Sequence, residues 1–374
     1  MPKSAEVGSL SSDLIASGAE LAELLKELDA AERVALDTEA DSLHSYREKL
    51  CLLQISFQTV VGIDKSGFGR RDLIVDPLSN IDLAPLSAAL EQKEIVLHGA
   101  DYDLRLLRRG LNFTAPRIFD TVIAARLLGI REFGLAALVK RYFGVELGKA
   151  SQKANWGRRP LPARMVDYAI NDTRYLLPLA ERLESQLREY DRLDWLWQSC
   201  QRAIEQAAVD RVRDEDELWR IRGSTSLSGR AATVLRALWL WREKEAEAAD
   251  RPPFYVLQNH ELLNASMAFA SGGFPDYKHF SSRRRQAFHK AAENALQLPE
   301  SRWPVSRRRR FGIRPSPETL RRSEELRQRR EKSAKALGFE PSFVAPRSAL
   351  EAVSADRTRA EKLLVPWQRE LLGV

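Results

Sequence analysis

The hydrophobic period of this chain changes once, at about residue 102, and that change constrains the fold more than any single motif. Before it, short apolar runs alternate with turn signals, as strands do: VALDTEAD (34–41), KLCLLQISF (49–57), TVVGID (59–64), DLIVDPL (72–78) and EIVLHGAD (94–101). GAELAELLKELDA (18–30) precedes them and reads as a helix. KSGFGRRD (65–72) is polar and contains glycine, which predicts a hairpin loop. After residue 102, DLRLLRRGL, DTVIAARLLGI, GLAALVKRYFGV and ARMVDYAINDTRYLLPLAERLESQL space their apolar residues at three and four, the pattern of amphipathic helices. Strands first and helices later predict an α/β domain: a mixed five-stranded sheet flanked by helices.

Residues 178–224 are rich in Glu, Arg and Leu and read as a helical connector. The remainder has no strand-like run. Its helices break at RPPF (251–254), SGGFP (271–275) and RPSP (314–317). Residues 242–266 and 330–354 align without gaps at an offset of 88, with nine of 25 positions identical. Fixed spacing at that identity predicts two small helical domains of common origin, the second more degraded. Two unrelated helix–loop–helix segments are the alternative.

Composition excludes several classes. At 374 residues, with 44% hydrophobic and 30% charged residues, the chain has room for two or three soluble domains. No apolar run approaches the ~18 residues of a membrane span, and the first twenty residues lack the apolar core of a signal peptide. Cys51 and Cys200 stand alone, so neither a disulfide framework nor a cysteine metal site is expected. A cytoplasmic location follows as the expectation. The net charge is +7, and arginines crowd into 281–311 (SSRRRQAFHK, SRRRRF). Guanidinium groups pair with phosphate bidentately, so a polyanionic partner and a plain solvated surface both fit.

Three acidic settings stand out. Asp37 and Glu39 lie at i and i+2 directly after the apolar run VAL, so on a strand both point to one face. Burying two carboxylates side by side is costly unless a cation sits between them. Oxygen ligands without His or Cys nearby favour Mg²⁺ or Mn²⁺ over zinc. A solvated strand end is the plainer reading of this pair. In HGADYDLRLL the chain leaves a strand at Gly99 and enters a helix. Asp101 is placed there as a helix N-cap. Asp103 falls in the first turn, where it is either a site residue or a favourable charge at a helix N-terminus. His98 reads as a structural residue at the strand end. Tyr168 and Asp172, four apart in VDYAINDTRYLL, share a helix face. A phenol and a carboxylate so placed can hold a metal and orient its water, or can belong to a surface helix.

Together, VALDTEAD, LHGADYDL and YAINDTRYLL resemble the three exonuclease motifs of the DEDD superfamily, tyrosine subtype. KLCLLQIS, IFDTVIAARLLG, GLAALVKRYFGVEL and NWGRRPLP narrow the resemblance to the ribonuclease D family over about residues 20–190. LRALWLWREKEAEAADRPPFYVLQNHELL looks like a helicase-and-RNase-D C-terminal (HRDC) domain, and 330–354 like a weaker second copy. The resemblance implies an RNase H-like exonuclease domain at 1–190, a helical connector at 191–224, an HRDC domain at 225–305 and a second, degenerate HRDC-like domain at 306–374. It makes Asp37, Glu39, Asp103 and Asp172 the ligands of two divalent ions, Mg²⁺ or Mn²⁺. It prefers Asp103 over Asp101 because Leu104 follows, and it gives Tyr168 the orienting of the attacking water. Ala40 departs from the family, which commonly has an aromatic there. The loop 58–72 is longer than usual for the family.

The implied activity is 3′→5′ exoribonuclease, releasing nucleoside 5′-monophosphates from the single-stranded 3′ ends of transfer-RNA precursors and other small structured RNAs. No obligate protein partner is implied. Trp156, Arg158 and Arg159 in NWGRRP are candidate RNA contacts, with Trp156 equally placed to anchor a crossing loop. An exonuclease acting on single-stranded DNA and a non-catalytic RNA-binding module are the competing readings.

Overall fold

A computed structural model describes residues 13–59, 69–148, 153–209, 214, 217–304 and 315–374. The chain divides into two compact units. The first joins residues up to Asp41, Lys49–Asp210 and Pro315–Val374; the second joins Ser42–Glu48 and Arg211–Arg314.

The first unit is built on a mixed sheet. Its strands are β1 (Leu14–Ile15), β2 (Arg33–Ala40), β3 (Leu50–Thr59), β4 (Gly69–Val75), β5 (Glu94–Leu97) and β6 (Arg117–Asp120), in the order β1-β4-β3-β2-β5-β6. β2, β5 and β6 run parallel, and β3 is antiparallel to both β2 and β4. β3 is buried on both faces through Phe57, which explains its unbroken apolar run. The sheet has six strands, not five, and the expected set differs in membership. Thr59 closes β3, and residues 60–64 of the expected TVVGID strand lie outside the described residues. Gly69–Asp72, expected in a hairpin loop, pair with β3 as part of β4; residues 65–68 lie outside the described residues. β1 and β6 are too short to show a period of two, and neither is among the expected strands.

The helices of this unit are α1 (Gly18–Asp29), α2 (Ala84–Leu90), α3 (Asp101–Leu111), α4 (Thr121–Leu127), α5 (Leu135–Phe143), α6 (Ala163–Arg174), α7 (Leu176–Glu189) and α8 (Leu193–Ala208). α8 falls in the segment expected to connect domains, but it packs on the edge strand β6. Trp197 meets Phe119 edge to face at 5.9 Å, and the Arg117 guanidinium lies 3.8 Å from the Trp197 ring centre. Arg105 of α3 donates to the carbonyls of Gln206 and Val209, satisfying the end of α8.

The second unit holds α9 (Gly229–Ala248), α10 (Asn259–Ala270) and α11 (Ser282–Leu296) around Trp241, Phe269, Phe280 and Phe288. Tyr46 packs on that core, and its N–H donates to Asp250 Oδ1 at 3.2 Å.

The C-terminal helices α12 (Pro317–Leu337), α13 (Pro341–Val344), α14 (Arg347–Ala355), α15 (Ala360–Leu363) and α16 (Pro366–Leu372) belong to the first unit. Buried Trp367 stacks on Trp195 of α8 at 5.1 Å and donates to Ser199 Oγ at 3.0 Å. The two aligned segments have matching internal contacts. Arg242 donates to Leu257 O and Glu243 Oε1 at 3.1 and 3.0 Å. Arg330, at the same offset, donates to Ala345 O and Glu331 Oε1 at 3.3 and 2.7 Å. Val256 and Val344, Leu262 and Leu350, and Ser266 and Ser354 are buried in pairs.

Candidate active site

β2 sets the first two acids. Asp37 stands opposite Gln54 and Glu39 opposite Leu52, so both carboxylates rise on the face that also carries Leu52, Gln54 and Ser56. α6 lies across this face, anchored where Ser56 Oγ meets Thr173 Oγ1 at 2.8 Å. It brings Asp172 over the two strand acids. Carboxylate oxygens of Asp37, Glu39 and Asp172 all lie within 4.8 Å of one another. Sequence separation of more than 130 residues is thereby closed into one cluster.

Asp103 arrives from the other side. β5 pairs with β2 only as far as Ala35, which leaves the edge of β2 open beyond that point. The first turn of α3 fills the opening, and Thr38 Oγ1 donates to Asp103 Oδ1. Asp103 is therefore 6% exposed and outside the close trio, yet its charge acts on Asp37 more strongly than that of any other carboxylate. Asp101 is not the helix cap expected of it. The N-cap is Ala100, and Asp101 is exposed and paired with Arg105 at 3.0 Å. The turn before α3 is held instead by Asp120, which accepts from the N–H groups of Gly99 and Ala100 at 3.0 and 2.9 Å. Asp120 also caps α4 through Val122 N at 2.8 Å. Gly99 sits at φ +81°, the left-handed turn that lets the chain swing from β5 into α3. Thr38 and Asp120 thus fix the third acid, and neither stood out in the sequence.

His98 is held at the strand end. Thr121 Oγ1 donates to Leu97 O at 3.1 Å, so it accepts from His98 Nδ1 at 2.8 Å. Burial lowers the His98 pKa, which keeps the ring neutral.

Four acids, one buried and three half-buried, repel where they gather. Burial first, then the charges of Asp103, Asp172 and Glu39, push Asp37 well above the carboxylate range. Burial and the charges of Asp172 and Asp103 raise Glu39 to about 9. Burial raises Asp172 to about 7, opposed by a hydrogen bond from the Tyr168 hydroxyl. Asp103 rises to about 6, mainly through burial, opposed by Thr38. Such a cluster is stable as anions only with a cation among them. All four donors are hard oxygens, with neither His nor Cys in the trio, which fits Mg²⁺ or Mn²⁺.

The NWGRRP loop serves this site from behind. Trp156 is 1% exposed and packs on Tyr168 with ring centres 6.1 Å apart, so it has no face for a base. Arg159 donates to both oxygens of Asp76 at 2.6 Å and to the carbonyls of Cys51, Trp156 and Arg158 at 2.8–2.9 Å. All five of its N–H donors are used. This burial favours the reading of Trp156 as the anchor of a crossing loop, and Arg159 is engaged within the protein. Arg158 alone of the three is exposed.

Residues 14–188 match the family described as 3′-5′ exonuclease, and residues 231–268 match the HRDC domain. This defines a DEDD-type 3′-5′ exonuclease domain joined to an HRDC domain. Exosome complex component 10 of Mus musculus is 34% identical over 268 residues, 69% of this chain but only 29% of that protein. Ribonuclease D of Gluconacetobacter diazotrophicus is 29% identical over 395 aligned positions, covering 100% of this chain and 94% of that one. In three dimensions the fold is that of Escherichia coli RNase D, with a TM-score of 0.68 over 96% of each chain at 22% identity. The chain thus joins a 3′-5′ exonuclease domain to an HRDC domain and is similar to bacterial ribonuclease D proteins. It spans less than a third of the length of the mouse relative. Among the described residues, no helix is long and apolar enough to cross a membrane.

Proposed function

We propose that this protein is a metal-dependent 3′→5′ exoribonuclease that releases nucleoside 5′-monophosphates. The observation that carries this is the trio of Asp37, Glu39 and Asp172, brought together from two elements with their pKa values driven upward. Together with Asp103, these carboxylates would hold two divalent ions. Bound there, such ions supply Lewis-acid stabilisation of the scissile phosphate and lower the pKa of the attacking water.

The chain's own residues do the positioning. Tyr168 gives its hydroxyl proton to a hydrogen bond with Asp172. Its oxygen then remains an acceptor for a water proton, so Tyr168 orients the nucleophile and need not deprotonate it. Trp156 backs the Tyr168 ring and limits its movement. Thr38 and Asp120 fix the turn that carries Asp103.

The substrate class follows from charge and family. Single-stranded 3′ ends of transfer-RNA precursors and other small structured RNAs are the proposed substrates, gripped through phosphates by exposed arginines such as Arg158. The domain plan is an exonuclease domain at 1–190, helix α8 and its neighbours at 191–224, an HRDC domain at 225–305 and a degenerate second copy at 306–374. The matched contacts of Arg242 and Arg330 support the common origin of the last two. A cytoplasmic location goes with this role.

A timed digestion of a 3′-tailed transfer RNA, with Mg²⁺ or Mn²⁺ and with EDTA, tests the reading. The expected result is stepwise release of 5′-monophosphates from the 3′ end, abolished by EDTA. Equal or faster attack on single-stranded DNA would favour the DNA reading, and metal-independent or absent hydrolysis would sink the proposal.

A further inference from the structure

Gln54 presents a contradiction in the middle of the sheet. It is 0% exposed, and neither Nε2 nor Oε1 has a hydrogen-bond partner among the described residues. An unpaired buried amide costs about 1–3 kcal/mol. Methionine or leucine would fill the same space without that cost. Its neighbours are apolar: Ile74 is its partner on β4, and Leu52 and Ile74 belong to one cluster with Ala169 and Ile170 of α6. Ser56, two residues on, shows how a polar group on this face is normally treated: its hydroxyl meets both Asp72 and Thr173 at 2.8 Å.

One neighbour explains the exception. In the antiparallel pairing, Gln54 stands directly opposite Asp37. Residues so paired have Cβ atoms about 4.5–5.5 Å apart on one face. Asp37 is one of the three acids whose carboxylate oxygens gather within 4.8 Å of one another. As an anion, a carboxylate offers about four lone-pair sites, more than its cations use. An amide N–H from the adjacent strand can satisfy what remains.

We propose that Gln54 is a positioning residue for the metal site: with a divalent cation bound, its Nε2 donates to the Asp37 carboxylate and holds that side chain in its ligating rotamer. This deepens, and rests on, the exonuclease reading above. Residues in this role typically change metal affinity or activity by about 10–100-fold.

The test is Gln54→Met, which keeps volume and removes the amide. Mn²⁺ binding to the substrate-free protein is measured by calorimetry, and thermal unfolding is measured in EDTA. The expected result is a Kd for Mn²⁺ raised about tenfold or more, with metal-free stability unchanged or higher because the unpaired amide is gone. In digestion assays kcat falls while KM for RNA holds. In an Asp37→Asn background, Gln54→Met should add no further loss of Mn²⁺ affinity. Unchanged Mn²⁺ affinity with a lower metal-free Tm would overturn the proposal and make Gln54 a packing residue. If Gln54→Met does not fold, Gln54→Asn retains an amide of shorter reach and must show the same loss of affinity for the proposal to stand. Because Mn²⁺ binding is read without RNA, a wild-type protein that binds the ion but leaves RNA intact overturns the exonuclease reading, while calorimetry still decides the role of Gln54.

Discussion

Two sets of buried charge lie close in the first unit and are treated in opposite ways. Asp76 is buried, and Arg159 meets it with a bidentate pair and three further bonds to carbonyls. Every guanidinium proton there is answered from within the protein, and the carboxylate also accepts from Leu78 N. Asp37, Glu39 and Asp172 are gathered on the same side of the sheet, and burial first, with like charge around Asp37 and Glu39, raises their pKa values. A buried charge matched by the chain is a structural device. Buried like charges left unmatched mark a place where something from outside completes the structure.

The largest effect should come from altering the unmatched set. Asp103→Asn keeps the shape and the bond to Thr38 but removes a negative charge from the metal site. Hydrolysis should fall on the order of 10³-fold or more, with RNA affinity largely retained and metal-free stability not lowered. A variant that degrades RNA at the wild-type rate would show that the third ligand has been misplaced. The matched set should behave in reverse. Arg159→Leu leaves Asp76 buried without its partner, and should lower stability by about 2–3 kcal/mol, less than for a fully buried pair because the Arg159 side chain is 28% exposed. Its RNA affinity, measured where the protein remains folded, should be unchanged. Arg158→Ala should do the opposite: weaker RNA binding, a shallower salt dependence and an unchanged Tm. If Arg159→Leu instead weakens RNA binding at full stability, the distinction between the two sets fails.

How far each set was legible in the sequence follows from the distance over which its physics acts. Asp37 and Glu39 were legible because a strand repeats every two residues and the apolar VAL marks the strand. Tyr168 and Asp172 were legible from helical spacing. Asp120 was not, because β6 is four residues long and shows no period, and the turn that Asp120 holds lies about twenty residues earlier. Nor were the fates of Trp156 and Arg159, since an exposed arginine and one locked on Asp76 look alike until the loop is placed. Gln54 reads as one polar residue in an apolar run, and only the register of β3 against β2 puts it opposite Asp37. The docking of α8 and α16 escaped for the same reason: each is amphipathic, but periodicity does not say against what. The stacking of Trp195 on Trp367 joins positions 172 residues apart.

The smallest effect is the most direct measure of the unmatched set. In the metal-free protein Asp103, Asp172 and Glu39 have folded-state values of about 6, about 7 and about 9, against roughly 4 in an unfolded chain. Between those limits the folded state holds protons that the unfolded state has released. Stability therefore falls as pH rises from about 4 to about 9, the reverse of an acid held by a salt bridge. A bound cation favours the anions and removes this penalty. Tm in EDTA should thus fall between pH 5.5 and pH 8.5, and the gain in Tm on adding Mg²⁺ should be larger at pH 8.5. At about 2–4 °C per kcal/mol for a domain of this size, the difference in gain should be several degrees. Glu39→Gln removes the group with the highest of these three values and should flatten the EDTA profile toward high pH. Equal Mg²⁺ gains at the two pH values would mean that the carboxylates are ionised without metal, and that the cluster is no less satisfied than the pair at Asp76.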